Sequence, residues 1–204
     1  MSLALAPWGV ASMPAPGEHE CGDRHVVSRF PGGALIAVID ALGHGSGAAA
    51  TAAVAAAALA GAPVPRPLEA ILRECHDRMR RTRGAALGLG LVDWNRRQLS
   101  WLGVGNVMGL LAQGGARQPP RLRFLTAQAG VVGDQLPRLA ATQVDVAPGD
   151  CLVMTTDGVH SDFVQLLPTG MAPQALAEMI VRRYAKGPDD ALALVYRVQG
   201  RSDD

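Results

Sequence analysis

Ala34-Leu35-Ile36-Ala37-Val38-Ile39-Asp40-Ala41-Leu42-Gly43-His44-Gly45 carries the reading of the whole chain. The apolar run 34–39 is unbroken, bounded by Gly32-Gly33 before it and Asp40 after it. A run this short predicts a strand buried on both faces, with its last carboxylate delivered at the strand tip. Residues 43–47 then open an alanine-rich helix over 48–60, with Ser46 as the expected N-cap. A second helix is expected from Pro67, because Leu68, Ile71, Leu72, Cys75 and Met79 fall on one stripe. A third covers residues 173–185, with Leu176, Ile180 and Tyr184 inward.

Between and around these helices the pattern reads as strands: the first 11 residues, 24–30, 85–93, 98–104, 107–112, 122–126, 143–146, 151–156 and 191–198. Residues 93–97 and the Val104-Gly105-Asn106-Val107 junction read as hairpin turns. Strand after strand without an intervening helix predicts antiparallel sheets with helices packed outside. The expected fold is therefore α+β, an αββα sandwich in four layers.

Composition bounds the rest. The 204 residues suit one domain, taken as 1–204, and no repeat or linker divides them. Nineteen basic against 18 acidic residues leave a net charge of +1. That balance, with only three Phe, two Tyr and three Trp, argues against nucleic-acid binding. The apolar stretch 48–60 is too short to span a bilayer, and the N-terminus has no basic residue before Arg24, so neither membrane nor secretion is expected. Cys21, Cys75 and Cys151 are scattered and odd in number, which points to reduced thiols in the cytoplasm.

The acidic residues are lopsided, 13 Asp against 5 Glu. Asp23 precedes a strand, Asp40 and Asp157 each end one, and Asp189-Asp190 precede the last. If the tips converge, they form an all-oxygen cage for Mg²⁺ or Mn²⁺. Each aspartate taken singly is also an ordinary turn residue.

The company these aspartates keep is distinctive. Cys21-Gly22-Asp23, Val38 to Gly45, Gly103-Val104-Gly105-Asn106, residues 130–133, Thr155-Thr156-Asp157-Gly158-Val159 and Asp189-Asp190-Ala191 occur in that order. The set resembles the metal-dependent serine/threonine phosphatases of the 2C type (PPM), in the bacterial branch that includes SpoIIE and RsbX. The resemblance implies the same sandwich fold and two or more Mn²⁺ or Mg²⁺ ions. Asp23, Asp40, the Ala41 carbonyl, Asp157 and Asp189 would be the metal ligands, with Asp190 and Gly158 behind them. Asp40, Asp157 and His44 are the catalytic candidates, His44 as donor of a proton to the leaving alkoxide. The implied reaction is hydrolysis of phosphoserine or phosphothreonine by a metal-activated water. The implied partner is a phosphorylated regulatory protein, an anti-sigma-factor antagonist or stressosome-type protein, with the enzyme a cytoplasmic monomer. Two positions depart from the pattern: Ala41 stands where a glycine is usual, and Ala191-Leu192 lacks the usual threonine.

Two other readings compete. Residues 43–48 follow a strand and open a helix as a dinucleotide loop does, but the second strand with an acidic end is missing. A catalytically inactive phosphatase-like binding module is the stronger alternative, and retention of all four cage aspartates argues against it.

Overall fold

The computed structural model describes residues 6–114, 119–168 and 170–200. Eleven strands and three α-helices are built from them in the order β1 (Trp8–Met13), β2 (Asp23–Phe30), β3 (Gly33–Ala41), α1 (Gly45–Ala60), α2 (Leu68–Met79), β4 (Ala85–Asp93), β5 (Gln98–Val104), β6 (Met108–Gln113), β7 (Arg121–Leu125), β8 (Ala127–Gln128), β9 (Thr142–Asp145), β10 (Cys151–Thr155), α3 (Pro173–Tyr184) and β11 (Ala191–Arg197). A 3₁₀ turn, Ser161–Leu166, precedes α3.

The strands form two sheets. One runs β1-β11-β10-β6-β7; the other runs β2-β3-β4-β5-β8, with β9 also pairing β5. Every pairing is antiparallel except the short parallel contact of β5 with β8.

β3 shows why the run 34–39 is apolar throughout. Leu35, Ala37 and Ile39 face α1 and α2 in one core, while Ala34, Ile36 and Val38 face the other sheet in a second. The first core is closed by Ala48, Ala52, Ala55 and Leu59 of α1 and by the predicted stripe of α2, all buried. A third core lies outside the five-stranded sheet, where Leu176 and Ile180 of α3 meet Val153 and Val195. Helix, sheet, sheet, helix is the layering the sequence predicted. Alanine in α1 is functional packing: a Cβ at Gly22 would stand 2.6 Å from that of Ala48, so the helix lies almost against the entry to β2.

Two local expectations fail. The Val104–Val107 junction is no hairpin, because β5 belongs to one sheet and β6 to the other. Gly105, at φ +91°, turns the chain across the sandwich, and Val107 is buried between the sheets. The Trp101 ring fills the same space, reaching Gly88 on its own sheet and Gly109 on the opposite one. Nor does Ser46 cap α1: the helix begins at Gly45 and His44 holds the N-cap position, without a side-chain capping bond. The 93–97 hairpin is real, with Asp93 Oδ1 accepting the amides of Asn95 and Arg96. Among the described residues no helix is long and apolar enough to cross a membrane.

Candidate metal centre

Register places the first two carboxylates. Asp23 and Asp40 are direct cross-strand partners in β2 and β3, so both side chains leave the same face at the same end. Counting along β3, that face is the one turned toward the other sheet. From the other sheet come Asp157, two residues beyond β10, and Asp189-Asp190, just before β11. The four strand tips thus deliver their acids to one mouth of the sandwich. The charges sense one another there: Asp157, Asp189 and Asp190 all act on Asp40, and Asp40, Asp190 and Asp189 on Asp23.

Hydrogen bonds divide these five residues into two kinds. Asp190 is fully engaged, its Oδ1 accepting the Ala15 amide and its Oδ2 the Gly22 amide, each at 2.7 Å. It therefore pins both ends of the 15–22 loop. Asp189 Oδ1 accepts the following amide, of Asp190, at 2.8 Å. Asp157 Oδ2 accepts from Asn106 Nδ2. Thr156 spans the two sheets, donating its hydroxyl to Asp23 Oδ2 at 2.7 Å and accepting the Leu192 amide at 2.9 Å. Asp40 differs from them all. Its Oδ2 is buried and has no hydrogen-bond partner.

Electrostatics follow from that geometry. Burial, and then the neighbouring charge of Asp40, push the Asp23 carboxyl up to about 8; the Thr156 hydroxyl pulls the other way. Burial, and then the charge of Asp157, push Asp40 up to about 7, opposed by the Asp157 backbone amide. Among the described ion pairs none neutralises these acids. A hard divalent cation fits such a set, since every donor is oxygen and one buried oxygen lacks a partner. Among the described residues, no three acidic, imidazole or thiol groups are drawn into a finished ligand shell.

The remaining predicted residues fall into place as follows. Ala41 ends β3, buried, with its amide on the Gly22 carbonyl at 3.3 Å. Gly158 is obligatory, because a Cβ there would run into the Asp190 carbonyl oxygen. Among the described hydrogen bonds and ion pairs, His44 meets none of the five aspartates. Its side chain is 59% exposed and its Nδ1 lies 2.7 Å from Glu18 Oε1, on the loop that Asp190 pins. His76 is a satisfied core histidine, accepting the Gly133 amide at 2.9 Å. Burial pushes the thiols of Cys21 and Cys75 up to about 12, which leaves both poor nucleophiles at neutral pH.

Sequence reasoning missed Thr156, Asn106 and Glu18. The first two lie inside motifs that were singled out, T-T-D-G and G-V-G-N, where their polar side chains beside glycines were the available signal. Glu18 offered none. A partly open cavity of about 170 Å³, lined by Cys151, Leu167, Met171, Leu176 and Arg197, lies at the far ends of β10 and β11 and plays no part in this centre.

Comparison with known proteins agrees with this architecture. A solved chain from the bacterial stressosome, described as a modular system adapted to control secondary messenger signalling, is 27% identical with a TM-score of 0.84, covering 93% of this chain and 98% of that one. RsbX in complex with magnesium is 19% identical with a TM-score of 0.79, over 92% of each chain. The PPM Ser-Thr phosphatase MsPP from Mycobacterium smegmatis, in complex with cacodylate, is 17% identical with a TM-score of 0.73, over 96% of this chain and 99% of that one. No curated protein shows significant similarity. The fold is that of the PPM phosphatases. Residues 31–201 match the model of the stage II sporulation protein E (SpoIIE) family, and the chain belongs to that family.

Proposed function

We propose that this protein is a serine/threonine protein phosphatase that uses two or more Mn²⁺ or Mg²⁺ ions to hydrolyse phosphoserine or phosphothreonine on a regulatory phosphoprotein. One observation carries the reading: the buried, unpartnered Oδ2 of Asp40, set beside Asp23 in a cluster of five aspartates. Asp23, Asp40, Asp157, Asp189 and the Ala41 carbonyl would hold the ions. When bound, these supply the Lewis acidity that activates water and offsets charge on the phosphoryl oxygens.

The other residues set positions. Thr156 orients Asp23 and ties the two sheets together at the centre. Asn106 fixes the Asp157 carboxylate. Asp190 holds the 15–22 loop, and Gly158 lets the backbone pass close behind it. Glu18 accepts from Nδ1–H of His44 and orients the ring, and the doubly protonated imidazolium would then give its Nε2 proton to the departing serine or threonine oxygen.

The stressosome chain and RsbX support an anti-sigma-factor antagonist or stressosome-type protein as substrate. A cytoplasmic monomer completes the proposal, consistent with three free cysteines. The test is phosphate release from such phosphoproteins with Mn²⁺, with chelator, and with Asp40→Asn. Release with Mn²⁺ that stops in chelator and in the variant is expected. Full activity in either overturns the reading, and binding of a phosphoprotein without phosphate release would assign the chain as an inactive binding module.

A further inference from the structure

Arg83 lies in a groove beside the carboxylate mouth that the chemistry above does not use. It precedes Gly84, whose carbonyl accepts the Leu42 amide at 3.1 Å, and three residues later Ala86 pairs with Asp40. The arginine is therefore fixed at the same sheet end as the metal candidates. Its guanidinium lies along the opening turn of α1. A Cβ at Gly47 would stand 2.5 Å from Nη2 and 2.7 Å from Cζ, and one at Gly43 would stand 3.1 Å from Nη1. Gly43 and Gly47 thus clear the space that the arginine occupies, while Gly45 between them faces the Glu18 carboxylate.

The groove holds about 360 Å³ and is lined by Ala50, Thr51 and Val54 of α1 and by Arg81, Thr82 and Arg83. Thr82 makes its floor rigid, donating its hydroxyl to the Met79 carbonyl at 2.7 Å and accepting the Gly84 amide at 3.2 Å. The two arginines on either side are exposed, and among the described ion pairs neither has a carboxylate. Their neighbours Arg78 and Arg80 pair with Glu74 and Asp77. Neither the groove lining nor α1 contains an acidic residue. Nor does Arg83 serve α1, since a cation beside a helix N-terminus opposes the helix dipole. Exposed positive charge with no ion-pair partner among the described residues, next to an apolar patch with Val54 38% exposed, is complementary to one kind of occupant.

We propose that this groove binds an acidic segment of the phosphoprotein substrate flanking its phosphorylated residue, with Arg83 and Arg81 reading the carboxylates. The proposal rests on the phosphatase reading for the identity of its ligand. A charge swap tests it: fluorescence anisotropy of labelled phosphoserine peptides flanked by glutamates or by lysines, in chelator, with the wild type and with Arg83→Glu and Arg81→Glu/Arg83→Glu. The wild type prefers the acidic peptide by about tenfold, and the variants lose or invert that preference. Added salt weakens the wild-type preference. With Mn²⁺, Arg83→Glu raises KM for the acidic peptide far more than it lowers kcat. Equal affinity of the wild type for both peptides, or a preference untouched by the swap, overturns the proposal. The swap in anisotropy without any phosphate release leaves the groove standing and removes the phosphatase reading; release without the swap does the reverse.

Discussion

Asp150 and Asp40 are aspartates at opposite ends of the same sandwich, and they show what burial alone fails to reveal. Asp150, 2% exposed, is satisfied by the chain itself: Oδ1 accepts the Gly114 amide and Oδ2 the Ala147 amide, both at 2.9 Å. Its backbone carbonyl accepts the Val198 amide as well. It organises loops. Asp40 has a buried oxygen with no partner, and its acidic neighbours are Asp157, Asp189, Asp190 and its cross-strand partner Asp23. Only the second arrangement asks for a ligand. A buried carboxylate becomes a functional candidate through what it lacks.

The comparison breaks first at Asp40. Asp40→Asn and Asp157→Asn are expected to lower Mn²⁺-dependent phosphate release at least about 1000-fold, the several kcal/mol that Lewis-acid stabilisation contributes. Asp150→Ala should leave turnover per folded molecule near wild type. It instead strands two amides and costs about 2–4 kcal/mol in urea denaturation. Loss of activity in folded Asp150→Ala, or no loss in Asp40→Asn, would dissolve the distinction.

A smaller effect concerns pH. Asp23 and Asp40 titrate near 8 and 7 in the folded chain and near 4 when unfolded. The folded state therefore binds more protons than the unfolded one between those limits. Metal-free stability is highest below about pH 4 as far as these two groups decide, and declines as pH rises through 7 and 8. Thermal melts in chelator from pH 5 to 8.5 should show the decline, Asp40→Asn should flatten it, and Mn²⁺ should stabilise most at the alkaline end. A melt that rises with pH counts against the raised carboxyls. The smallest effect is that of Thr156→Val, about 1–2 kcal/mol by chemical denaturation, because it unties Asp23 and the Leu192 amide together.

Much of this was legible because it is written in local patterns. The two-sided burial of β3, the stripe of α2 and the aspartates at strand tips each follow from a few adjacent residues. The crossover at Val104–Val107 was not, since a four-residue turn joins two strands identically whether they share a sheet or face each other. What distinguishes the cases is long-range: β5 and β6 pair in different sheets, and Trp101 packs across the gap against Gly109. Nor was the His44–Glu18 pair, which depends on a loop held by Asp190, 175 residues away from Ala15. Thr156 sat inside a recognised motif, yet its bond to Asp23 spans 133 residues and two sheets. Contacts of that range are set by topology.

The central proposal is that Asp23 and Asp40 are ligands of a divalent cation. Calorimetric titration of the metal-free protein with Mn²⁺ at pH 7, in two buffers of different ionisation enthalpy, tests it directly. The account predicts binding with release of protons from Asp23 and Asp40, abolished in Asp40→Asn and retained in Asp150→Asn. Binding that persists unchanged in Asp40→Asn, or no binding by the wild type, would contradict it.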